Sequence, residues 1–244
     1  MSTSALHYGS GSILPSRSGF AASTGGARPS RPGQLSSAIL DGLAGGSDPE
    51  TIRELSHTSA AALLDRVHHT EDPAVVERVL TLVDHEGVDI IAELWSHAEP
   101  DSLPGVLWRL YLLRTWMRDH KAAIARLWRL GEPTVTSASA IAGVNQAPTE
   151  EDIETTADSI LAGAFTGDFA VALDRAAAFT DVVANGLRLQ ARHMVAEYGP
   201  DAASDEEKTT RTTAARLLHT AGNLLSTAKV FRHGATLWRH GKLE

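Results

Sequence analysis

Between residues 214 and 238 the side chains Ala214, Leu218, Ala221, Leu225, Ala228, Phe231, Ala235 and Trp238 recur at steps of three or four. That spacing returns to one side of an α-helix and to neither face of a strand, so it predicts one long amphipathic helix. A stripe of this length must be covered by other helices. They come either from the same chain in an antiparallel bundle or from a second chain in a coiled coil.

The same period runs through Val75, Val76, Val79, Leu80, Leu82 and Val83, and again through Leu103, Val106, Leu107, Leu110, Leu113, Met117, Ile124 and Leu127. Asp48-Pro49 and Asp72-Pro73 each place a capping acid before a proline suited to a first helical turn, while Gly87 and Gly131 mark stops. The reading is all-α, with short helices near 35–44, 49–56, 58–69, 73–85 and 88–98, then one long helix or a broken pair over 102–130. Thr149 followed by Glu150, Glu151 and Asp152 starts a capped helix carrying Ile153, Ile160 and Leu161 inward. A second runs from Asp168 to Tyr198 with Phe169, Leu173, Ala176, Phe179, Val183 and Leu187 facing in, until Gly199-Pro200 ends it. The last starts at the Ser204-x-x-Glu207 capping box.

Four segments follow. Residues 1–34 form a Ser/Gly/Pro/Arg tail with few large apolar groups, expected to be disordered. Residues 35–132 form an N-terminal bundle of short helices. Residues 133–148 carry no charge and read as a linker after Glu132. Residues 149–244 form an antiparallel three-helix bundle of long helices whose last member is basic.

The net charge of −8 hides an asymmetry: 1–34 carries +3, 35–207 carries −17 and 208–244 carries +6. A basic end beside an acidic body predicts either packing of one on the other or an external anionic partner.

Composition removes much chemistry. The chain has no Cys, hence no thiol nucleophile, disulfide, thiolate zinc site or iron–sulfur cluster. Neither a P-loop nor a strand-borne G-x-G-x-x-G occurs, and Gly42-Leu43-Ala44-Gly45-Gly46 reads as a helix end. No G-x-S-x-G elbow supports a serine hydrolase. The eleven histidines raise metal binding, yet there is no H-E-x-x-H. The best cluster, Glu86, Asp89, Glu93 and His97, reads as a solvated helix face, so neither metal nor cofactor is expected. His219, His233 and His240 add to the basic side of the last helix, more so once protonated.

Basic residues interleave with aromatics at Trp108, Tyr111, Trp116 and Trp128. Such mixtures bind single strands by stacking, but these rings fall near the apolar stripe and read as core. The expected function is therefore that of a non-enzymatic helical interaction or regulatory protein. Its alanine- and arginine-rich, lysine-poor composition is that of a GC-rich bacterium. A protein partner or self-association is expected. The alternative is a nucleic-acid-associated protein, and the third reading is a His/carboxylate metalloenzyme. The candidate partner or phosphate contacts are Arg118, Lys121, Arg126, Arg129, Lys229, Arg232 and Arg239. With neither a membrane-length apolar run nor a basic leader before one, the expected location is cytoplasmic.

Overall fold

The computed structural model describes residues 49–68, 95–196 and 205–244. The tail 1–34 and the helices expected at 35–44 and 73–85 lie outside them, as does most of the one expected at 88–98. Every regular element among the described residues is helical: α1 (Pro49–His68), α2 (Leu103–Asp119), α3 (Lys121–Gly131), a 3₁₀ turn (Glu132–Thr134), α4 (Thr136–Ala142), α5 (Glu150–Thr166), α6 (Phe169–Ala196) and α7 (Asp205–Arg239). The chain is all-α.

Local chemistry explains the boundaries. Ser102 caps α2, its hydroxyl accepting the Gly105 N–H at 3.3 Å. At α5, Thr149 and Asp152 form a reciprocal capping box, with N–H to side-chain bonds of 2.8 and 3.1 Å. Asp168 caps α6 by accepting the Ala170 N–H at 2.8 Å. The 102–130 stretch is a broken pair: His120 leaves helical geometry at φ −121°, closing α2 and opening α3.

The two helices expected at 49–56 and 58–69 are instead the single helix α1. The Ser56 hydroxyl bonds back to Ile52 O, and that of Ser59 to Ser56 O, so these residues are absorbed by the helix and do not cap a new one.

The uncharged stretch 133–148 is more structured than a linker. It carries α4, which packs on α6 and ends at Gly143 in the left-handed region at φ 72°. Trp128 Nε1 donates to Asn145 O at 3.0 Å, and Arg175 Nε donates to Ala142 O at 3.3 Å. Ser139, Ala142 and Pro148 are buried.

Helix α6 lies at the centre, with α3, α4 and α5 packed on it and α7 running along it. Helix α5 also packs on α2. The core joins Trp128 and Phe179, stacked at 5.2 Å, with Phe169, Leu173, Leu224 and Phe231, all fully buried. Trp238 meets Phe169 edge-on at 4.9 Å.

The α7 stripe differs from its sequence reading. The buried positions are Ala214, Leu217, Ala221, Leu224, Ala228, Phe231 and Ala235. Leu217 and Leu224 replace Leu218 and Leu225, and Leu218 is 49% exposed. Each leucine belongs to a Leu-Leu doublet, so a pattern with period near 3.5 runs through either member.

Past α7, Gly241 turns the chain at φ 63°, with Gly241 N–H bonded to Trp238 O and Lys242 N–H to Leu237 O. This is a Schellman ending. It buries Leu243 and brings Glu244 O to the Leu103 N–H at 2.7 Å, where it satisfies a free donor at the start of α2.

Candidate interaction surface

The seven cations singled out from sequence fall into two groups. Four are held by carboxylates of the same chain. Arg118 reaches Asp158 at 2.8 Å and Glu154 at 3.0 Å, and Lys121 reaches Glu154 at 2.7 Å. Arg232 reaches Asp181 at 2.6 Å, and Arg239 reaches Asp174 at 2.5 Å. The other three, Arg126, Arg129 and Lys229, are exposed and make no ion pair among the described residues. Arg129 Nε donates to Ala125 O at 3.1 Å, where a cation favours the end of a helix.

The first ion-pair group ties α2 and α3 to α5. Arg114, 4% exposed, joins it through Nε to Asp158 at 2.7 Å. Positions 114 and 118 face 154 and 158, each pair one helical turn apart. Lys121 holds the Glu154 carboxyl below its ordinary range, first by hydrogen bonding and then by charge, with Arg118 adding to the effect. Glu154 in turn raises the Lys121 ammonium.

The second group zips α6 to α7. Asp174 and Asp181 are seven residues apart, as are Arg232 and Arg239, and the crossed pairing makes the helices antiparallel. Carried along by sevens, that register sets Arg188 against Leu225 and then Val195 against Leu218. Val195 is 43% and Leu218 49% exposed. The outer face of this hairpin thus changes from two ion pairs to an apolar layer.

Around that layer the charge is one-sided. Residues 182–196 and 208–239 contain no acid. Arg188 and Arg192 share the α6 face of Val195 by helical spacing, and Lys229 extends the α7 face of Leu218 and Leu225. All three are exposed and make no ion pair among the described residues. Arg211, on the same face, holds Glu207. Sequence reasoning missed Arg188 and Arg192 because nothing in their spacing sets them apart from other solvated arginines.

The aromatic residues near the basic stretch are largely core. Trp128 is fully buried, and Trp108, mostly buried, stacks on Tyr111 at 5.8 Å. Burial works against the charge of the neighbouring Arg109, an effect Asp101 partly offsets.

Glu86, Asp89 and Glu93 lie outside the described residues, and among those described no group of three His, Asp or Glu is placed to hold a metal. His219 is exposed on α7 and His240 is exposed just past its end. His233 lines a cavity of about 700 Å³ with Glu50, Glu54, His57, Glu99 and Asp101 among its other walls. No described helix is long and apolar enough to cross a membrane. Comparison with protein-family models, curated proteins and solved structures finds no match to this chain.

Proposed function

We propose that this chain is a non-enzymatic helical interaction and regulatory protein that engages a protein partner through the α6–α7 hairpin. The observation that carries this reading is the exposed Val195–Leu218 layer. A chain that buries Leu217 and Leu224 in its core also keeps Leu218 on the outside of the same helix, beside an exposed Val195. Helical surfaces with exposed apolar side chains of this kind bind other helices or grooves by burying them.

The nucleic-acid reading rests on fewer side chains than the sequence offered. Arg118, Lys121, Arg232 and Arg239 are engaged within the chain. Arg126, Arg129 and Lys229 remain to support it.

The test is affinity capture of the tagged full chain and its Leu218→Asp variant from the source cell, at low and moderate salt, with and without nuclease. The reading expects a protein that survives nuclease and salt. Recovery of nucleic acid alone, weakening steeply with salt, would replace it with the alternative.

A further inference from the structure

We infer that the outer seam of the α6–α7 hairpin is a docking groove for an acidic amphipathic helix of another protein. This rests on the interaction reading above and gives the partner a chemistry. The apolar floor of the groove is Val195 on α6 with Leu218 on α7, both exposed, and Leu225, half-buried against the core, adjoins it. Between the two leucines stands Gly222, where an added Cβ would meet nothing within 4 Å. A ridge of side chains from a partner helix has room there.

The rim sets the sign of the partner. Arg188 and Arg192 continue the α6 face of Val195 and Lys229 the α7 face of Leu218, with no carboxylate in residues 182–196 or 208–239. Two ion pairs, Asp181–Arg232 and Asp174–Arg239, close the proximal end. An occupant must therefore be apolar along its centre and acidic along its edges.

A second copy fits less well, because it would bring Arg188, Arg192 and Lys229 onto a like-charged rim. Nucleic acid matches the charge but not the floor, since aliphatic Val and Leu offer phosphates and sugars nothing and lack a ring for base stacking. An acidic helix satisfies both floor and rim, with its charges steering association.

The probe is a fluorescent 21-residue peptide with Leu at the core heptad positions and Glu at the flanking ones, titrated with the full chain and read by anisotropy. The expected result is saturable binding that weakens with salt, falls at least tenfold in Leu218→Asp, and falls similarly in Arg188→Glu. The same peptide with Lys for Glu should not bind. Both substituted positions are exposed, and circular dichroism confirms that the variants fold. Absence of binding, indifference to Leu218→Asp, displacement of the peptide by a 20-nucleotide oligomer, or self-association lost in Leu218→Asp would each overturn the groove. A captured partner that withstands nuclease and salt but ignores Leu218→Asp would overturn it while leaving the interaction reading in place.

Discussion

Gly131 and Gly186 meet where α3 crosses α6, and neither position has room for a side chain. A Cβ on Gly186 would lie 2.1 Å from Leu127 O, and one on Gly131 would lie 2.3 Å from Val182 O. Asn185 secures the same crossing through Nδ2, donating to Gly131 O at 3.1 Å and to the Thr134 hydroxyl. The contact sets how closely the second half of the chain approaches the first.

Gly186→Ala is therefore expected to destabilise the fold by about 3 kcal/mol or more, because two backbones must separate. Gly222→Ala, in an open helix interior, should stabilise by roughly 0.5–1 kcal/mol. Urea unfolding of the two variants checks the opposite signs.

Gly131 shows how a sequence signal can be right in position and different in cause. It ends α3 as expected, yet its φ of −84° is ordinary helical backbone. Its size is what the structure uses. The cap at Thr149 was legible because its partner, Asp152, lies three residues away. The α2–α5 ion pairs were not, since Arg118 and Asp158 stand 40 residues apart and pair only after the helices pack. The α7 face was ambiguous for a local reason, two Leu-Leu doublets that admit two phases of one period.

Those doublets separate stability from surface. Leu217→Ala should cost about 2–4 kcal/mol, whereas Leu218→Ala should stay within roughly 0.5 kcal/mol. Thermal or urea denaturation decides it, and equal losses would return Leu218 to the core.

Asp158 faces the buried Arg114 as well as Arg118. Replacing it by Ala leaves a desolvated guanidinium short of one charged acceptor, and the expected loss is on the order of 2 kcal/mol. An Arg114→Met change made together with it should recover part of that loss, as measured in a double-mutant cycle.

The Lys121–Glu154 pair sets limits in pH. The folded Glu154 carboxyl lies below its ordinary 4.5, so the unfolded chain takes up the proton first as pH falls. Its contribution is complete above about pH 4.5 and is lost as pH drops through the lowered folded value. Asp152, held below 3.8 by the Thr149 N–H and hydroxyl, adds the same trend. Lys121, raised above 10.5, contributes below that value and loses its contribution as pH rises through the raised one. Unfolding of Glu154→Gln from pH 3 to 8 should show a deficit near neutrality that closes in acid. A deficit independent of pH would show that the pair does not couple to folding.

The central claim is that the outward-facing Leu218 of α7 meets another protein. The most direct measurement places a photo-crosslinking benzoylphenylalanine at position 218 of the full chain, irradiates it in source-cell lysate, and compares it with the same residue at position 126. The account predicts a discrete protein adduct at 218, absent at 126 and unchanged by nuclease. No adduct at 218, or one that nuclease removes, would contradict it.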